Sequence, residues 1–165
     1  MAVNDVHFWF DGAQGESKYQ GFENWIDVTS WQFGASSPSC SCGSATQSAN
    51  TGGKVEIHGL TLTKQIDKAT PNLMADCCAG KAGQKAKLSI KMPGGDTSQE
   101  FMEFVMKDAK VASVNHNGHD EHGTVETVVV VFNSMEMHYT PQDVKGQAGG
   151  KVSMGWDLNT NSKTL

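Results

Sequence analysis

From Val128 to Phe132 every side chain is large and apolar, so in an extended chain both faces of this stretch carry the same chemistry. Both faces must therefore be covered, one by a core and the other by a helix or by a second subunit. The run sits in the middle of a long apolar-rich segment read as one strand, Thr124 to Tyr139.

Elsewhere the apolar residues alternate, but the alternation changes sides. Ile26 and Val28 share one face of a strand and Trp31 and Phe33 share the other, which calls for a bulge or sharp bend near Thr29 or Ser30. Val55 and Ile57 oppose Leu60, Leu62 and Ile66 in the same way, with Gly59 at the switch. Met102, Phe104 and Met106 give way to Ala109, Val111 and Ser113 after Lys107-Asp108, as two short strands or one bent strand. Val3 to Phe10, Lys85 to Met92 and Val152 to Leu158 read as further strands; in the second, the lysines and Ser89 are expected on the wet face. Six to nine strands that bend this often point to a compact, curved sheet closed into a barrel.

One helix interrupts the pattern. Thr70 is placed to cap it, Pro71 suits its first turn and Gly80 its left-handed end. Leu73, Met74, Cys77 and Cys78 form an apolar stripe expected to face the sheet. Ala35 to Gly53 and Asn115 to Gly123 are polar and read as loops, and Asn159 to Leu165 as a tail.

Length and the absence of a linker give a single domain over residues 1–165. The chain has 18 glycines against 4 prolines, as many tight turns require. Its formal net charge is −5 and all 13 basic residues are lysine, so bidentate arginine contacts to nucleic acid are absent by composition and nucleic acid is not an expected partner. No apolar run reaches membrane-spanning length, and the first residues lack the pattern of a cleaved signal. Membrane insertion is not expected. Location is then the cytoplasm, or outside the cell by a route without a signal peptide.

Candidate chemistry is thin. His116, His119 and His122 bracket Asp120 and Glu121, but neither a helix nor regular spacing aims them, and a solvated loop is expected rather than a metal centre. Cys40 and Cys42 are too close for a zinc knuckle, and Cys77 and Cys78 fall on the apolar stripe as small hydrophobes. Neither a nucleophile elbow nor a phosphate-binding glycine loop is present. The residues therefore suggest no enzyme and no cofactor.

Several fragments in order carry a resemblance: Asp11-Gly12 with Gly15-Glu16-Ser17-Lys18, Ile26-Asp27-Val28 with Trp31, and Gly52-Gly53-Lys54-Val55. They continue through Thr63-Lys64 with Asp67-Lys68, Thr70-Pro71-Asn72-Leu73 with Cys77 and Gly80, Ala86-Lys87-Leu88, Tyr139-Thr140-Pro141-Gln142 and Gly155-Trp156-Asp157-Leu158. Together they resemble the haemolysin-coregulated protein family, Hcp, the tube component of bacterial type VI secretion, over nearly the whole chain.

The resemblance implies a mainly β fold: a β-barrel of two packed antiparallel sheets with one short helix on its side, like a phage tail-tube protein. It implies homohexameric rings stacked into a secreted tube, with effectors carried in the lumen and with sheath, spike and baseplate as further partners. The protein would lie in the cytoplasm before firing and leave without a cleaved signal peptide. On that picture Ser30 and Gln32 are lumen candidates. Trp31, Phe33, Val129 and Val131 are interface candidates, joined by Cys40, Cys42 and Gly43 in a loop that reaches a neighbour. A monomeric ligand-binding barrel and a metal-dependent enzyme built on the histidine loop are the alternatives.

Overall fold

A computed structural model of the chain describes residues 5–37, 54–92, 100–119, 123–141 and 149–165. In chain order the elements are β1 (Asp5–Phe10), β2 (Ile26–Asp27), β3 (Ser30–Gln32), β4 (Ala35–Ser36), β5 (Glu56–Ile57) and β6 (Leu60–Gln65). Helix α1 (Thr70–Ala79) follows, then β7 (Gln84–Lys91), β8 (Glu100–His119), β9 (Gly123–Val131), β10 (Ser134–Tyr139), β11 (Val152–Asp157) and β12 (Ser162–Lys163). The fold is mainly β with one helix, as expected.

All described pairings are antiparallel, and apart from the separate β4-β5 pair they build two layers. The first runs β2-β1-β7-β8-β10-β11-β12 and the second β3-β6-β9-β8. Strand β8 belongs to both: its first half pairs with β7 and β10, its second with β9. It is one bent strand, turning at Asp108, whose φ of 51° is a left-handed conformation that aspartate tolerates. Across from the turn the β7 register shifts between Gln84 and Ala86.

The opposite corner lies at Val28-Thr29, where the chain changes layers. Val28 N donates to Val6 O at 3.0 Å, and Thr29 N, one residue later, donates to Thr63 O at 2.8 Å in the other layer. That is the bend the Ile26 to Phe33 parity required. β2 and β3 share no ladder, so chain continuity rather than hydrogen bonding joins the layers here, and the barrel is not fully closed.

The core fills the space between the layers. Phe8, Phe10, Ile26, Leu60, Leu62, Leu88, Ile90, Met106, Val128 and Val130 are almost wholly buried, each contributing about 1.5–3 kcal/mol of apolar transfer. Gly59 stands where the parity of its strand changes; a Cβ there would lie 3.0 Å from Val129 Cγ1 and Val130 O.

Several expectations need correction. The long strand over Thr124 to Tyr139 is two strands, because the chain must change layers at Phe132-Asn133 beside the bend of β8; Asn133 N donates to Lys107 O. The polar stretch from Asn115 is strand as far as His119, and the tail folds back as β12 on β11. Thr70 is the first helical residue and not the cap. Asp67 holds the helix entrance instead, with its Oδ1 accepting from Ala69 N at 2.9 Å. At the other end Gly80 is left-handed, and the bonds Gly80 N to Cys77 O and Lys81 N to Asp76 O close the helix as expected. Leu73 is buried and Cys77 packs on the core, but Met74 is only half-buried and Cys78 is exposed, since a short helix laid on a sheet buries one row of its stripe.

Ser89 is also buried rather than wet. The segment between β1 and β2 folds over the outer face of the first layer, where Phe22 stacks on His7 at 4.9 Å between ring centroids and Lys91 Nζ sits 4.3 Å from the Phe22 centroid. Gly15 lets this segment close down: a Cβ there would lie 2.2 Å from Trp25 O. Gly15→Ala is therefore expected to lower stability by at least about 1–3 kcal/mol, because a backbone carbonyl must move. A urea midpoint unchanged from the parent would contradict this.

Candidate functional site

The face of the second layer that points away from the core carries no charge within its three central rows. Cross-strand register gives the rows Gln32, Thr61, Val129, Ser113, then Ser30, Thr63, Thr127, Asn115, then Gln65, Val125, Asn117. Ser30, Gln32, Gln65, Asn115 and Asn117 are exposed and the others half-buried. Alternation explains the pattern, since on these strands the positions between are Trp31, Leu62, Val128 and Val130, which face the core. Thr and Val at these positions also suit a pleated surface.

The charges of this layer point the other way. Lys64 and Glu126 are opposite each other in register, and both are buried, at 1% and 0% exposure. Lys64 Nζ donates to Gln65 O at 2.9 Å, Asp67 Oδ1 at 2.8 Å and Thr70 Oγ1 at 3.2 Å, and lies 3.7 Å from Glu126 Oε1. Glu126 Oε2 meets His116 Nε2 at 3.2 Å. This cluster fastens the start of α1 to the inner side of the sheet.

The inner face of the first layer is an apolar grid wider than its cover. Its rows are Val6, Ile90, Met102, Tyr139, Val152; then Phe8, Leu88, Phe104, Met137, Met154; then Phe10, Ala86, Met106, Met135, Trp156. Over β1 and β7 the grid is buried. Toward β11 it emerges from the core, and Tyr139, Met154 and Val152 are 42%, 39% and 64% exposed. Apolar side chains in such a contiguous strip mark an interaction surface.

The outer face of the first layer is charged, with Lys87 near Glu103, Lys107 on Glu136, and Lys151 near Glu103. Lys107 holds the Glu136 carboxyl below its ordinary range by hydrogen bonding to it. Glu100 is held above that range, first by burial and then by the Glu103 charge. The folded protein therefore binds the Glu100 proton more tightly than the unfolded chain does. Its stabilising contribution is present in acid and is lost as pH rises through the raised folded value. Glu100→Gln should accordingly raise the thermal midpoint at about pH 7 and leave it nearly unchanged at about pH 4. An equal rise at both would show that the carboxylate charge is not the cause.

Ser30 and Gln32 thus lie on the uncharged face. Trp31 and Phe33 point the other way, half-buried, with ring centroids 5.6 and 5.5 Å from that of Phe104. Val129 is on the uncharged face and Val131 at its rim, both half-buried. Cys40, Cys42, Gly43 and His122 lie outside the described residues. Of the histidines weighed as weak metal candidates, His116 is turned onto Glu126, and no three His, Cys, Asp or Glu among the described residues converge as a metal group. The sequence reading missed the buried Lys64 cluster, although a lysine at a position between Leu62 and Ile66 in the apolar parity was its signal.

Residues 7–139 match the family described as "Type VI secretion system effector, Hcp". The chain is similar to protein hcp1 of Pseudomonas aeruginosa, 37% identical over 163 residues and 98% of each chain. Among solved structures, one titled as a type six secretion system protein superposes with a TM-score of 0.87 at 30% identity, over 97% of this chain and 99% of the other. Hcp1 from Salmonella typhimurium does so with a TM-score of 0.77 at 28% identity, over 99% of this chain and all of the other.

Proposed function

This chain belongs to the Hcp family, the tube proteins of type VI secretion, and from that premise we propose that it forms homohexameric rings whose lumen wall is the uncharged outer face of β3, β6, β9 and the second half of β8. Supporting this is the way that wall ends. Among the described residues, β3 pairs only with β6, and β8 from Val111 onward pairs only with β9, so the sheet has two unpaired edges of different sequence. Unlike edges favour head-to-tail joining, and head-to-tail joining that closes gives a ring.

The uncovered strip at Tyr139, Val152 and Met154 supplies apolar surface for the same lateral contact. Trp31 and Phe33 pack on Phe104, at the covered end of the same row as Met154, while Val129 and Val131 bring apolar area to the wall near its edge. Ser30 and Gln32 face the lumen. Cys40, Cys42 and Gly43 belong to the segment we assign to contact with a neighbour when rings stack. The whole of residues 1–165 acts as one domain.

Effectors in the lumen, and sheath, spike and baseplate outside, are the partners of this reading, in which the protein is structural and not catalytic. It resides in the cytoplasm before firing and leaves without a cleaved signal peptide. No described helix is long and apolar enough to cross a membrane.

Electron microscopy of the purified protein tests the ring: six-fold particles with an open centre are expected. Compact particles without a hole, together with a monomer by light scattering at all concentrations, would favour a ligand-binding barrel instead.

A further inference from the structure

We infer that the wall recognises protein cargo through uncharged contact, selecting folded effectors that present a hydroxyl- and amide-rich patch rather than an acidic or basic one. This rests on the lumen reading above. The carrying observation is an inversion: the acidic and basic side chains in the central rows of the second layer, Lys64 and Glu126, are buried on the core side, while the opposite face has none. Beneath the wall, Lys64 is neutralised at short range by Asp67 and Glu126. Lys110, opposite Val131, stands at the rim and not among the three rows.

A cargo carboxylate or ammonium pressed against such a surface loses water and gains no counter-charge, which opposes its docking. A cargo amide or hydroxyl meets groups that both donate and accept, Gln32, Gln65, Asn115 and Asn117, and exchanges one set of hydrogen bonds for another at little cost. Val125 and Val129 add small apolar contacts between them. Grip of this kind is weak, spread out and insensitive to salt, because there is little for counterions to screen.

Two measurements test it. In an Asn115→Cys variant, the reaction of residue 115 with cationic, anionic and neutral methanethiosulfonates is followed by peptide mass spectrometry and normalised to a free thiol. The cationic-to-anionic rate ratio should stay within about threefold of one at low and high salt, whereas a charged wall would give about tenfold or more. Adding Thr63→Lys should push the ratio toward the anionic reagent. A tenfold preference of either sign without that lysine overturns the neutral wall. This holds on free subunits too, so absence of rings would sink the tube reading separately.

For the cargo class, one small globular scaffold is co-expressed with the rings in uncharged polar, acidic and basic surface versions. Recovery of the uncharged version should exceed both others by about threefold or more, a difference of about 0.65 kcal/mol, and persist at high salt. Equal or greater recovery of a charged version, or recovery of none, overturns the assignment.

Discussion

Lys64→Met should destabilise the subunit by about 3–5 kcal/mol, the usual consequence of removing one member of a buried ion pair. The substitution keeps the length of the side chain and removes a positive charge that faces Asp67 and Glu126. It also takes away three donated hydrogen bonds, to Gln65 O, Asp67 Oδ1 and Thr70 Oγ1. Glu126, with 0% exposure and no hydrogen bond to its Oε1, is left as a buried carboxylate with only His116 Nε2 beside its Oε2. Adding Glu126→Gln should restore a substantial part of the loss, since a neutral amide removes the stranded charge. Chemical denaturation of the two variants and the double variant measures the coupling directly. A single-variant loss below about 1 kcal/mol would mean that the cluster relaxes or takes in water, and that α1 is held by Leu73 and Cys77 packing alone.

Replacing Val152 and Met154 together by aspartate should abolish assembly while leaving the subunit folded. Val152 is 64% and Met154 39% exposed in the single chain, so the first change stays within about 0.5 kcal/mol and the second costs about 1 kcal/mol, too little to unfold the subunit. In a ring the same positions would be enclosed, and two desolvated carboxylates against an apolar neighbour oppose closure by several kcal/mol. The readout is paired: a thermal midpoint near that of the parent, and monomers where the parent gives rings. Intact rings would move the lateral contact away from β11.

These two predictions differ in how far the sequence anticipated them. The strip at β11 was partly legible, because Val152, Met154 and Trp156 alternate against small and polar residues. That alternation indicates one apolar face but not where its cover stops, which depends on the second layer having fewer strands than the first. The bends at Val28-Thr29 and at Lys107-Asp108 were legible from parity, since a change of face leaves the strand few other ways to continue. The Phe132-Asn133 turn was hidden, because a run apolar on both faces has no parity to break.

The lumen candidates were read less completely. Ser30 and Gln32 stood out beside Trp31 and Phe33, but Asn115 and Asn117 looked like loop, since polar residues in succession carry no period of two. They are strand because Val114 and Val111 face the core while the β9 ladder holds the backbone. The cluster at Lys64 was missed because a lysine among apolar neighbours reads as exposed until its acceptors, from the helix entrance and from a strand about 60 residues later in sequence, are brought together by the fold.

The double membership of β8 also bears on mechanics. In the proposed ring, a contracting sheath would push on the outside, while the bore must keep its shape. In most two-layered proteins such a push would be passed inward through side-chain contacts, which slide. Here the outer and inner layers share one covalent backbone of 20 residues, bent once at Asp108, so shear is carried inward by peptide bonds. In the proposed ring, thrust applied outside would reach the bore at that bend, at the Val28-Thr29 and Phe132-Asn133 crossings and through the α1 connection between β6 and β7.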